Sequence, residues 1–410
     1  MQNNVWPPYW SIKDKTPRIN IVRTSKSFIY DENKTKIFDG IASWWSVCHG
    51  YNHPKIISNM KKCLNAMPHV MFAGITHNYA ETLAQELHNF SFGQFKKTFF
   101  CDSGSVAIEV SIKMALQYWQ SLNKYEKTHV LTFSGCYHGE TFMASSLSSD
   151  ENSYISSYTN NVLNVKLPCN AEEMHEFKLF LEKNHKRIAC SIIEPLVQGA
   201  AGIKMYSSAI LRDIFNLIKK YDILFICDEC AMGFYRTGRR FAFDHAEIAP
   251  DIITLGKALS GGHISLAAAC TTEHIFSTIC TDGYFKHGPT FMANPLACSA
   301  GIASLNIFND FNYPAHICKI TDIFTNVKDR LHKSLHLEAR VLGAIIAIEI
   351  NAKNLDIKAY IYENTKELKL WVRPIGNTLY LMPPLNVEID DLLDAVKSFE
   401  IIIKNTHSVV

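Results

Sequence analysis

Short apolar runs closed by polar, glycine or proline residues constrain this chain most. They read HVLTFSG (129–135), RIACSIIEP (187–195), DILFICDE (222–229) and ISLAAACTT (264–272). None alternates apolar with polar positions, so each must be a strand covered on both faces. Helix-like stretches lie between them. SSAILRDIFNLIKK (207–220) opens on a serine N-cap and closes on two lysines. Strands alternating with helices fold as α/β around a mainly parallel sheet. Ligands of such sheets gather beyond the carboxyl ends of the strands. The alternation weakens toward both termini. The expected organisation is an N-terminal segment 1–50, a large domain 51–304 and a C-terminal segment 305–410, with the two flanks folding together as a smaller domain.

Several classes are excluded. A net charge of +2, with no Lys/Arg run longer than two residues, leaves no basic face or tail for nucleic acid. The opening MQNNVWPPYWSIKDK has neither the basic nor the apolar block of a secretory signal. LGAIIAIEI (342–350), among the most apolar stretches, is too short to span a bilayer. The 12 cysteines are scattered through apolar segments, as buried free thiols of a reducing compartment would be. A cytoplasmic protein is expected.

Four local patterns carry chemistry. In FFCDSGSVAIEVSIKMALQYW (99–119) a strand ends near Asp102, and Ala107, Val110, Met114 and Tyr118 then share one helix face. Gly104 allows the sharp turn, and the helix N-terminus offers free N–H groups to a phosphate. A plain strand–helix turn would read the same. In GCYHGET (135–141) Tyr137 follows a strand end and can stack on a flat ring. In ILFICDECAMGFYRTG (223–238) Asp228 closes an apolar strand, where a carboxylate needs a partner. The CxxC inside this stretch is a weak redox or zinc candidate, because Cys227 lies within the apolar run and no second pair completes a site. HGYNH (49–53) is a weak metal candidate for the same want of further ligands. In DIITLGKALSGG (251–262) Lys257 stands between an apolar run and two glycines, unlike the paired surface lysines elsewhere. Phosphate turn, stacking aromatic, buried aspartate and buried lysine, in that order, suit pyridoxal phosphate (PLP).

The chain resembles the class III, fold-type I aminotransferases over nearly its whole length. The markers are WPPY (6–9), SWWSVCHGYNHP (43–54), HVMFAGITH (69–77), DSGSVAIEVSIKMALQYW (102–119), IIEPLVQGAAGIKMY (192–206), LGKALSGG (255–262), HGPTFMANPLAC (287–298) and WVRPIGNTLYLMPP (371–384). The resemblance implies an α/β fold with a mainly parallel seven-stranded sheet and a smaller α+β domain from both termini. It implies PLP as cofactor, a donor amine and a keto acid as substrates, and a homodimer with shared sites. Lys257 would be the Schiff-base lysine and proton shuttle, Asp228 the partner of the pyridine nitrogen, and Tyr137 the ring stacker. Gly104 and Ser105 would hold the phosphate, and Thr290 would reach the phosphate of the second subunit's cofactor. Tyr9, Trp44, Gly288, Pro289 and Arg373 would contact substrate, Arg373 through the acceptor's carboxylate. Pro7, Glu140, Cys230, Met232, Tyr235 and Ile375 depart from the family pattern, and most of them are expected beside the substrate rather than the cofactor.

Overall fold

The apolar runs become neighbouring strands of one sheet. The computed structural model describes residues 4–13, 18–148, 155, 160–351 and 356–407. Among these a seven-stranded sheet runs in the order Lys97–Cys101, Ala267–Thr271, Ile252–Leu255, Leu224–Asp228, Ile188–Ile193, His129–Phe133, Val162–Val165. The five strands from Ile252–Leu255 to Val162–Val165 pair in parallel. Ala267–Thr271 runs antiparallel to both of its neighbours. The sheet is therefore mainly parallel, with one reversed strand.

Alternate residues of each central strand serve different cores, as the pleat requires. Leu224 and Ile226 join the cluster beneath the helix Gly104–Ser121, whose buried face includes Ala107, Val110, Met114 and Tyr118. Phe225 and Cys227 join the larger cluster on the opposite face. Burying a Leu, Ile or Phe in this way contributes about 1.5–3 kcal/mol, which explains why these strands carry no polar alternation. The helix Ser208–Lys220 is capped by the Ser207 side chain, which accepts from the Ile210 N–H.

Residues from both ends of the chain pair directly. Ile21–Ser25, Phe28–Asp31 and Lys36–Asp39 form a four-stranded sheet with Leu370–Trp371. Ala339–Val341, Ile346–Glu349 and Thr378–Leu381 form a three-stranded antiparallel sheet. Lys366 clips Asp31 at 2.9 Å beside the first of these sheets. No described helix is long and apolar enough to cross a membrane.

Candidate active site

Five of the residues singled out in the sequence meet at the carboxyl edge of the large sheet. Asp228 is the last residue of its strand. Gly104 opens the helix that follows Lys97–Cys101, and Ser103 caps it by accepting from the Val106 N–H at 3.4 Å. Tyr137 lies in the loop after His129–Phe133, and Lys257 opens the 3-10 turn Lys257–Ser260 after Ile252–Leu255. Gly104, Ser105, Tyr137, Asp228 and Lys257 line one cavity of about 190 Å³, together with Trp45, His138 and Glu194.

The electrostatics of this cavity follow from burial and pairing. Asp228 Oδ1 accepts from the Cys230 N–H at 3.1 Å and from the Thr254 hydroxyl at 3.0 Å. Its Oδ2 meets His138 Nδ1 at 2.8 Å. Burial alone would raise the Asp228 carboxyl. The bond to His138 and that ring's charge outweigh burial and hold the carboxyl below its ordinary value. Burial alone would likewise depress His138, but Cys136 and Asp228 beside it raise it well above the usual histidine range. The pair is thus ionised, and Asp228 stays a carboxylate at neutral pH. Lys257 is half-buried, with its amine 4.4 Å from the centre of the Trp45 ring. Desolvation lowers that amine from the ordinary lysine value, against the pull of Cys230, Asp228 and Glu194. Glu194 is pushed up to about 7 by burial, although Gly199 and Tyr137 each donate a backbone N–H to it at 3.0 Å.

A second, wider space adjoins the first. It measures about 570 Å³ and shares Lys257, Tyr137 and Trp45 with it. Tyr9, Trp44, Glu140, Arg373, Ile375 and Tyr380 complete much of its wall. The Arg373 guanidinium lies over the rings of Trp44 and Tyr9, at 4.4 and 5.1 Å. Among the described residues no carboxylate sits within ion-pair distance of it, so its charge is available to the cavity. The Tyr9 hydroxyl donates to Glu140. Gly288, Pro289 and Thr290 line neither space, and Gly288 and Thr290 are exposed.

The departures from the family pattern divide. Glu140 and Ile375 line the wide cavity, Cys230 lines the narrow one, and Pro7 belongs to a neighbouring outer cavity. Met232 and Tyr235 are core residues instead, with Tyr235 stacked on Tyr313 at 6.0 Å. Both side chains pack inward from the segment that follows Asp228 and line neither cavity. The CxxC thiols are free, as are all 12 cysteines. The HGYNH segment uses both His49 ring nitrogens within the protein, on Tyr313 and Ser304.

Comparison with known proteins decides the family. The model of the class III aminotransferases matches residues 9–403. The chain belongs to the class III aminotransferases. One curated relative, the adenosylmethionine-8-amino-7-oxononanoate aminotransferase of Buchnera aphidicola subsp. Acyrthosiphon pisum, is 38% identical over 93% of this chain and 91% of its own. The enzyme of the same name from Corynebacterium glutamicum is 35% identical over 93% and 92%. Among solved structures, the adenosylmethionine-8-amino-7-oxononanoate aminotransferase of Methanocaldococcus jannaschii superposes with a TM-score of 0.90 at 27% identity, covering 98% of this chain and 97% of its own. A PLP-bound amine transaminase from an uncultivated Pseudomonas species has the same fold, with a TM-score of 0.90 at 24% identity over 99% of each chain.

The cofactor of this family is PLP, and the narrow cavity fits it. The first-turn N–H groups at Gly104 and Ser105 have no intrahelical acceptor and border the cavity, as an anion site requires. A Cβ on Gly104 would stand 3.3 Å from Cys230 Sγ, so the cradle is narrow there. A Cβ on Gly139 would collide with Ser105. An ionised carboxylate, backed by a charged histidine, and a half-buried amine share the same space. Glu194, His138 and Trp45 were not assigned roles from sequence. Glu194 and His138 stood inside quoted motifs, but only the fold shows that they face Asp228 and Lys257.

Proposed function

We propose that this chain transfers an amino group to 8-amino-7-oxononanoate, giving 7,8-diaminononanoate, a step of biotin synthesis, with PLP as cofactor and S-adenosylmethionine as donor. The observation that carries this reading is the pairing of the two cavities. One holds Lys257 and Asp228, and the other places an acid-free guanidinium, Arg373, among apolar and aromatic walls. The names of the relatives point to the same substrate pair.

Bound in the narrow cavity, PLP supplies an aldehyde for an amine and a ring that withdraws electrons from the donor's Cα. The residues then divide the work. Asp228 would hold a proton on the pyridine nitrogen by charge pairing, and His138 keeps Asp228 ionised. Lys257 Nζ would bond the cofactor's aldehyde, and its amine would serve as the base that takes the proton from the donor's Cα and gives it back. Its lowered proton affinity, a result of desolvation, suits a lysine that must act as a base. Tyr137 would cover the ring, and the Gly104–Ser105 turn would hold the phosphate. The aliphatic chain of the acceptor lies along Trp44 and Ile375, with its carboxylate gripped by the Arg373 fork. Gly288, Pro289 and Thr290 are supplied to the site of a second copy, Thr290 to its phosphate, which makes the working unit a homodimer. Free thiols throughout suit the cytoplasm.

A donor screen tests the reading. With 8-amino-7-oxononanoate as acceptor, S-adenosylmethionine is expected to support diaminononanoate formation and lysine is not. Formation with lysine alone would replace the donor. Turnover of ornithine, 4-aminobutyrate or a diamine in place of this pair would replace the reaction by that of another ω-aminotransferase.

A further inference from the structure

We infer that a buried hydrogen-bonded chain outside the cavity, Tyr313–His49–Ser304, positions Lys257 by fixing the carbonyl of the next residue, Ala258. The inference rests on the proposed role of Lys257 and adds residues that never touch substrate or cofactor.

The need for such a device lies in the backbone. Lys257 has φ of 42°, in the left-handed region. A residue with a side chain persists there only when its surroundings over-determine it. The turn that follows is short, running Lys257–Ser260 before Gly261 reverses the chain at φ 61°. Something must hold this turn in place. The Ala258 carbonyl accepts from the Gly261 N–H at 2.9 Å, which closes the turn on itself. It also accepts from two donors on other segments, the Ser304 hydroxyl at 3.0 Å and the Cys48 thiol at 3.6 Å. Burial pushes the Cys48 thiol up to about 12, so it remains protonated and able to donate.

Ser304 is in turn oriented. It lies on the helix Pro295–Asp310, and its oxygen is 2.9 Å from His49 Nε2. His49 Nδ1 is 2.5 Å from the Tyr313 hydroxyl. Tyr313, His49 and Ser304, like Cys48, are buried at 2% exposure or less. Only one proton order satisfies every member. Tyr313 donates to Nδ1, the Nε2–H donates to Ser304, and Ser304 donates to the carbonyl. That order needs a neutral imidazole with its proton on Nε2. Burial, reinforced by the neighbouring His53 and His263, holds His49 well below the usual histidine value and keeps it neutral. A charged ring would carry a second N–H against the Tyr313 hydroxyl. The ring is also packed against Phe308, with centres 4.3 Å apart. The chain thus runs in one direction, from Tyr313 to the Ala258–Leu259 peptide, inside the turn that Lys257 opens.

Without the Ser304 donor the Ala258 carbonyl keeps only the Gly261 N–H and the longer Cys48 contact, the turn is held less tightly from outside, and the amine can leave the space between Trp45 and Asp228 for a better-hydrated position. The test reads Lys257 itself in cofactor-free protein. The rate at which an N-hydroxysuccinimide ester acylates Lys257 is followed against pH by peptide mass spectrometry, in Ser304→Ala and Tyr313→Phe. Ser299→Ala is the control: Ser299 is buried on the same helix and donates only to Leu296 of its own turn, at 2.7 Å. Ser304→Ala is expected to move the pH midpoint of Lys257 acylation upward, with Tyr313→Phe in the same direction and Ser299→Ala unmoved. In holoenzyme, the donor half-reaction of Ser304→Ala should slow about threefold to tenfold, the size of one net buried hydrogen bond, with the donor KM unchanged. If Ser304→Ala does not fold, the titration of Tyr313→Phe decides. An unshifted midpoint, an equal shift in Ser299→Ala, or a lowered melting temperature with an unshifted midpoint would each overturn the proposal. The acylation readout needs no turnover, so its failure is distinct from failure of the proposed reaction.

Discussion

Replacing Asp228 by asparagine isolates the charge at the centre of the site. The side chain keeps its shape, and an amide oxygen can still accept from the Cys230 N–H and the Thr254 hydroxyl, which now lie at 3.1 and 3.0 Å from Oδ1. The fold should survive. The 2.8 Å contact with His138 loses its ionic character, because the amide is neutral and the imidazole no longer has an anion to stabilise its proton. The amide also cannot hold a proton on a pyridine nitrogen by charge. A charge-assisted hydrogen bond in a buried site is worth about 1.5–3 kcal/mol. Each 1.4 kcal/mol is about tenfold in rate, so the donor half-reaction should fall by about 10-fold to 150-fold. Single-turnover kinetics of S-adenosylmethionine with the PLP-loaded variant measure this without interference from the acceptor. The His138 proton should at the same time become easier to lose, and NMR of that ring in cofactor-free protein would follow it. A correctly folded Asp228→Asn with an unchanged single-turnover rate would refute the reasoning and leave Asp228 as a structural residue.

Other expectations follow from the same geometry. Lys257→Ala should abolish turnover while PLP still binds through the Gly104–Ser105 turn and Asp228; wild-type turnover in a purified variant would contradict the assignment. Arg373→Ala should raise the acceptor KM by about 10-fold to 150-fold, the range of a lost charged pair, and leave the donor half-reaction much less affected; equal slowing of both half-reactions would remove its acceptor role. Arg373→Lys should restore little of this, because a point charge lacks the two-pronged grip. Glu194, held up at about 7 by burial, titrates at about 4.3 in an unfolded chain. The folded protein therefore binds more protons across that window, and the contribution of Glu194 to stability falls as pH rises through it, then levels above about 7. Thermal melts of cofactor-free Glu194→Gln against wild type should show the variant gaining relative stability from about pH 5 to 7; a constant difference would show that Glu194 is ionised throughout.

The parts legible in the sequence were those written in contiguous residues. Asp228 ends an apolar strand and Lys257 follows one by two residues, so their place at a sheet edge is legible directly, and the face Ala107, Val110, Met114, Tyr118 is buried as its spacing implies. Strand direction is not legible: Ala267–Thr271 is as apolar as the parallel strands of the sheet, and nothing in a buried run encodes reversal. Val162–Val165 escaped notice because it is an edge strand with partly exposed residues, and its composition is not that of a covered strand. Contacts across long sequence separations were also closed to such reading. His138 and Asp228 are 90 positions apart, and Ser304 reaches the Lys257 turn from 46. His49 read as a weak metal ligand because two histidines stood close together, whereas the fold spends both of its nitrogens on hydroxyls. Of the paired tryptophans, Trp44 was assigned to substrate, but its neighbour Trp45 lies under the Lys257 amine.

The most direct measurement of the central claim is the place where PLP is attached. The purified protein, loaded with PLP and reduced with borohydride, is digested and mapped by mass spectrometry. The reduced cofactor should be found on Lys257, and pre-incubation with S-adenosylmethionine should remove the adduct by converting PLP to its amine form. A cofactor adduct on any other lysine, or one on Lys257 that survives incubation with every amino donor, would contradict the account.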